Sequence, residues 1–167
     1  MRMKAGALLA LGSVALLTAT ALGPKRLVLV WNTSASVQIG LYVIVRRPLR
    51  IGDYVLVRLS GLPQALAERR NYVGPHVLLL KRVAAMEGDR VCRRGRVIWM
   101  SGQRRVIALG FDRGGRRLPV WQGCQHLQRG QLFVLGTHAE SFDSRYFGPI
   151  DRAEIVGAAI PLFVLRA

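Results

Sequence analysis

Lysine is scarce in this chain, and one lysine stands where an amine could work as a base. Of 25 basic residues 22 are arginine, and past Arg26 the single lysine is Lys81. It follows Val77-Leu78-Leu79-Leu80 and precedes Arg82-Val83-Ala84-Ala85. Apolar neighbours disfavour the ammonium form and pull its pKa below the ~10.4 of a free lysine. A neutral amine can take the proton of a serine hydroxyl; arginine, with a pKa above ~12, cannot. The competing reading is that codon preference favours arginine and Lys81 survives without a role. The serine for such a pair is Ser36, within Asn32-Thr33-Ser34-Ala35-Ser36-Val37-Gln38-Ile39-Gly40-Leu41-Tyr42. Ser34 and Ser36 would supply two hydroxyls at i and i+2, suited to an oxyanion donor and a nucleophile. A serine-rich linker fits the same residues. A Ser-His-Asp arrangement has less to draw on, because His76, His126 and His138 sit in no familiar local motif.

These residues must be positioned by a domain of ordinary size, since the chain has 167 residues. Beyond Arg26 short β-branched runs alternate with turn residues. Strands are predicted at Leu27–Val30, Leu41–Val45, Tyr54–Leu59, Val77–Val83, Val97–Met100, Val106–Leu109, Leu132–Leu135 and Ile155–Leu165. Ser101-Gly102 reads as a hairpin turn, and Gln64–Arg70 as a short helix. The expected fold is a mainly β, compact antiparallel domain over residues 27–167.

Residues 1–26 form a separate segment. Ala5 to Gly23 carry no charge and lie between Arg2/Lys4 and Pro24-Lys25-Arg26. Nineteen such residues at ~1.5 Å rise span ~28 Å, close to the ~30 Å bilayer core. A membrane anchor and a cleaved signal, with Ala19-Thr20-Ala21 as cleavage site, both fit, and both export the rest of the chain. Export would expose Cys92 and Cys124, 32 positions apart, to an oxidising compartment. They would then pair, remote from the chemistry; the alternative is two buried free thiols. Two cysteines cannot build a four-cysteine zinc site, and neither a metal nor a cofactor is implied.

Three segments together resemble the type I signal peptidase (S26) superfamily, and within it the conjugal-transfer branch. Ser34-Ala35-Ser36 with Gly40-Leu41-Tyr42 resembles its serine box. Lys81-Arg82-Val83 with Gly88-Asp89-Arg90-Val91 resembles its lysine box, and Ser141-Phe142-Asp143-Ser144-Arg145-Tyr146-Phe147-Gly148 its last box. The resemblance implies Ser36 as nucleophile, Lys81 as general base and Ser34 as oxyanion donor beside the backbone N–H of Ser36. It implies that Ser141 orients the lysine amine. Asp143 and Arg145 become a buried pair at the site, with a catalytic role for Asp143 as one reading and a salt bridge alone as the other. There are departures. Val37-Gln38 replace the Met or Met-Pro that follows the nucleophile, and Gly136-Thr137-His138-Ala139 replace Gly-Asp-Asn-Arg. Both point to a dedicated peptidase with a narrow substrate range.

The function implied is processing of a pilin or other exported precursor at the periplasmic face of the bacterial inner membrane, or in the periplasm. The acceptor is water, or the precursor's own amino terminus, which would close a ring. A net charge of +16 asks for an anionic neighbour. Anionic lipid is expected and nucleic acid is not, because no nucleic-acid-reading motif accompanies the scattered arginines. A function of another class, a non-catalytic basic adaptor anchored at a transfer or secretion apparatus, would tolerate Lys81→Arg.

Overall fold

The computed structural model describes residues 28–75, 77–101 and 105–165. The expected membrane segment over residues 1–26, His76, and Gly102 of the expected hairpin turn lie outside them. Among the described residues no helix is long and apolar enough to cross a membrane.

Among the described residues eleven strands form two antiparallel sheets, joined by two short helices. The large sheet contains β1 (Val28–Asn32), β2 (Gly40–Val45), β3 (Tyr54–Val57), β4 (Leu79–Met86), β9 (Gln131–Leu135), β10 (Ile150–Asp151) and β11 (Ile155–Val164), in the order β1-β2-β11-β3-β4-β9-β10. The small sheet contains β5 (Arg90–Arg94), β6 (Val97–Met100), β7 (Arg105–Ile107) and β8 (Gly123–His126), in the order β7-β6-β5-β8. Helix α1 (Gly61–Arg69) joins β3 to β4, and α2 (Ser144–Phe147) follows β9.

Strand β4 is central, between β3 and β9, and six of its eight residues are buried apolar side chains or Lys81 without counting the exposed Arg82 and half-buried Met86. That is why it reads as a continuous apolar run instead of an alternating one. One core, with Val55, Val57, Val83, Val134 and Ile155, fills one region of the large sheet. A second, with Val91, Ile98, Met100, Phe133 and Tyr146, joins the small sheet to β9 and α2. A third, with Val37, Tyr42, Leu56 and Leu80, lies under the serine-bearing loop. Strand β11 bulges between Pro161 and Phe163 as it crosses β2. Its backbone there comes so close to Gly40 (φ 156°) that a Cβ would lie 2.7 Å from Val164 Cα; only glycine fits.

The mainly β antiparallel reading holds, and each predicted strand has its counterpart, shifted by a few residues at the ends. Strands β5, β8 and β10 are additions. Cys92 in β5 and Cys124 in β8 form a disulfide across directly paired positions, as the reading of an exported chain expected.

Candidate active site

The β1–β2 connection carries both serines, and Asn32 at the end of β1 gives it its shape. The buried Asn32 amide donates to the carbonyls of Ser34 (2.8 Å), Gln38 (3.0 Å) and Val37 (3.3 Å), and its Oδ1 accepts from Ser34 N (3.2 Å). Tyr42 Oη donates to Gln38 O at 2.7 Å. Val37, 1% exposed, plugs the loop into the core. An apolar side chain directly after Ser36 therefore anchors it, whichever hydrophobe it is.

In this loop Ser34 Oγ donates to Ser36 Oγ at 3.0 Å and accepts from Ser36 N at 3.2 Å. Ser36 Oγ reaches Leu80 O, the carbonyl just before Lys81, at 3.4 Å. The Ser36 carbonyl accepts from Thr137 N (2.6 Å) and Thr137 Oγ1 (3.2 Å). The nucleophile candidate is thus held from both β4 and the β9–α2 loop.

Lys81 is 3% exposed on β4, and its Nζ donates to Ser141 Oγ at 2.5 Å. Burial pulls its pKa from 10.5 down to about 8; Asp143 opposes that shift and Arg145 adds to it. No hydrogen bond joins Lys81 Nζ to Ser36 Oγ in this structure. Both line one cavity of about 830 Å³, together with Ser34 and Ser141. Nucleophile–base contacts are commonly loose before substrate closes the site.

Asp143 and Arg145 form a buried two-point ion pair, Nε to Oδ1 at 2.9 Å and Nη2 to Oδ2 at 2.7 Å. Asp143 also caps α2 by accepting from Arg145 N (3.1 Å), and it accepts from Gly136 N (2.7 Å). Arg145 Nη2 donates to His138 O at 2.7 Å. The pair therefore clamps both ends of the loop that delivers Ser141. At Gly136 a Cβ would sit 2.5 Å from Ser141 Cβ, 2.9 Å from Ser36 O, and closer still to Ser141 Oγ. Glycine is required there by the close approach of three chain segments, although its φ is unexceptional.

The small sheet supports this arrangement from behind. Arg93, inward-facing on β5 and 3% exposed, donates from Nη1 to Arg145 O at 2.5 Å and lies over the Trp121 ring. Trp121 Nε1 in turn donates to Ser144 O at 3.2 Å.

The fold thus brings Ser34, Ser36, Lys81 and Ser141 to one cavity, with Asp143 and Arg145 directly behind it. His138 lines the cavity but bonds Glu140, not Ser36; His126 is exposed on β8. Sequence reasoning did not single out Asn32, Gly136, Thr137 or Arg93. Asn32 stood in plain view at the strand end before Ser-Ala-Ser. Nothing in the sequence marks Arg93 as inward.

Comparisons with known proteins show the family of the chain. The profile of the family described as "Signal peptidase, peptidase S26" matches residues 2–164. A conjugal transfer protein TraF of Agrobacterium tumefaciens (strain 15955) is 35% identical over 166 residues, 92% of this chain and 90% of its own length. A plasmid transfer protein TraF of Escherichia coli is 31% identical over 139 residues, 74% of this chain and 76% of its own. Among solved structures, a signal peptidase I from Enterococcus faecalis V583 aligns at TM-score 0.41 and 17% identity, over 68% of this chain and 98% of that one.

Proposed function

From the premise that the chain belongs to the peptidase S26 signal peptidase family, we propose that it is a serine endopeptidase with Ser36 as nucleophile and Lys81 as general base, acting on an exported precursor of a conjugative transfer apparatus. The observation that carries this reading is the buried Lys81 amine, lowered to about 8 and held by Ser141 in the cavity that contains Ser36. A non-catalytic adaptor has no use for an amine in that state, and burying one is costly.

The chemistry follows from the positions. Neutral Lys81 accepts the Ser36 hydroxyl proton as Oγ bonds to the scissile carbonyl carbon. The carbonyl oxygen becomes an oxyanion, for which the Ser34 hydroxyl and the Ser36 N–H are adjacent donors once they release each other. Collapse breaks the C–N bond, and the Lys81 ammonium gives its proton to the leaving amine. The Ser36 ester is then resolved by water, or by the precursor's own amino terminus in a ring closure. The precursor, in our reading a pilin, is processed at the periplasmic face of the inner membrane or in the periplasm. The basic surface there faces anionic lipid.

The test is incubation of the full chain with candidate pilin precursors, read by intact mass. Loss of a peptide reports hydrolysis, and a product one water lighter than the hydrolysed one reports cyclisation. Ser36→Ala and Lys81→Arg should each abolish processing without loss of folded protein, because members of such a unit fail together. Processing that survives Lys81→Arg would exclude the proposed base.

A further inference from the structure

The cavity that contains Ser36 has a second, charged region that the cleavage chemistry does not use. It is lined by Arg70, Tyr72, Asp112, Arg113, Arg116 and Glu140. Asp112 is fully committed to its own surroundings. Its Oδ1 accepts from Gly114 N (2.9 Å) and Arg116 N (2.8 Å), and its Oδ2 from Tyr72 Oη (2.6 Å) and Arg116 Nε (2.8 Å). Four donors occupy its lone-pair sites, and its side chain is 7% exposed. It can neutralise one guanidinium but has no capacity left to bind a cation of the substrate.

Two guanidiniums share that one carboxylate. Arg116 contacts it directly and lies over the Tyr72 ring, 5.6 Å from its centroid. Arg70 stands 4.0 Å from it, and its Nη1 is fixed on Tyr72 Oη (3.1 Å) and Arg117 O (2.8 Å). Among the described residues Arg70 Nε and Nη2 and Arg116 Nη1 have no hydrogen-bond partner. Arg113 and Glu140 pair with each other at a more exposed position and cancel. One positive charge is left over, on side chains already held in place. The region is also joined to the catalytic motif: the Tyr72 ring packs on Phe142, 5.1 Å between centroids, and Phe142 follows Ser141.

We propose that Arg70 and Arg116 form a subsite for a carboxylate of the substrate, from an acidic side chain or a free C-terminus within a few residues of the scissile bond. Fixed guanidiniums with spare N–H groups are matched to a carboxylate, and a cavity focuses their field. The subsite makes substrate choice depend on charge as well as on side-chain size. It rests on the peptidase reading only for the identity of the occupant.

The experiment measures binding by Ser36→Ala protein, so that it does not depend on turnover. Labelled precursor peptides spanning the cleavage region are compared with Glu or Gln at each position in turn, with free or amidated C-termini. At one position Glu should bind about tenfold or more tightly than Gln, as a charge-assisted bond gives. If instead the free acid binds more tightly than the amide, the carboxylate is C-terminal. Either preference should vanish in Arg70→Met and weaken in Arg116→Met. Arg70→Glu should turn the preference toward Lys at the same position, a gain that misfolding cannot produce. Equal affinity of acid and amide peptides throughout, no binding of any acidic peptide, or a preference unchanged by the Arg70 substitutions would overturn the subsite. Parallel incubation of the Ser36 protein with the same peptides reports separately on the peptidase reading, since cleavage without charge preference would leave that reading intact.

Discussion

Lys81 is asked to be neutral where almost every other basic group is a surface cation, and that requirement has two measurable consequences. As the proposed base the amine would act only when unprotonated, so kcat/KM should rise with pH through about 8 and level off above it. A profile flat down to pH 6 would rule out a lysine base. The same group weakens the fold. Its folded pKa of about 8 lies below the unfolded value, so charging it opposes folding, fully below about pH 8 and not at all above pH ~10.4. Lys81→Met should therefore be inactive yet more stable, by about 1–3 kcal/mol at pH 7 after loss of the Ser141 bond, with the gain fading toward pH 10. Urea midpoints at the two pH values check this, and a destabilised Lys81→Met would mean that the buried amine is not under strain. Ser36 and Lys81 themselves could be read from residue type and from the boxes around them. The absence of a Ser36–Lys81 hydrogen bond could not, because it depends on how a loop and a strand far apart in sequence are set against each other.

At the scale of elements, the β9–α2 loop is the piece whose shape the site can least do without. It meets Ser36 through Thr137, Lys81 through Ser141 and the ion pair through Gly136 and His138. Gly136→Ala should push Ser141 and the Ser36 carbonyl apart, lowering kcat/KM about 100-fold for a stability loss of about 1–3 kcal/mol. Near-normal kinetics in folded Gly136→Ala would show that the loop can yield. What was legible at this scale follows from side-chain alternation. Strands whose inward residues are apolar, such as Tyr54–Val57 and Val97–Met100, announce themselves. Strand β5 does not, because its two inward positions are Val91 and Arg93, and a buried arginine looks like surface. Strand β8 does not either: all four of its residues are exposed, and its place is set by pairing and the disulfide. Gly136 keeps the glycine of the family pattern, but Thr137 stands where the sequence departs from it, so the Thr137 contacts to Ser36 had no motif to point to them.

For the molecule as a whole, the small sheet shares its core with β9 and α2, and the Cys92–Cys124 bond ties its outer strand β8 to β5. Replacing both cysteines by serine should cost roughly 3–4 kcal/mol in the chain-entropy account and lower the melting temperature. The kcat of protein that remains folded should be unchanged, because β6 still pairs with β5 at Arg93 and keeps it on the Arg145 carbonyl. Loss of kcat in step with the disulfide would show that the bond, not the strand pairing, fixes Arg93. The order of strands in the large sheet has a further consequence. β11 is the last strand along the chain, yet it lies between β2 and β3, separating the strand pair that carries the serine from the strand that carries the lysine. A polypeptide emerging N-terminus first presents Ser36 early and Lys81 midway, but the sheet that brings them to one cavity cannot close until Ile155–Val164 has arrived. A chain still lacking Ile155–Val164 is thus latent by topology, and the arrival of that strand does for this molecule what removal of a propeptide does for a zymogen.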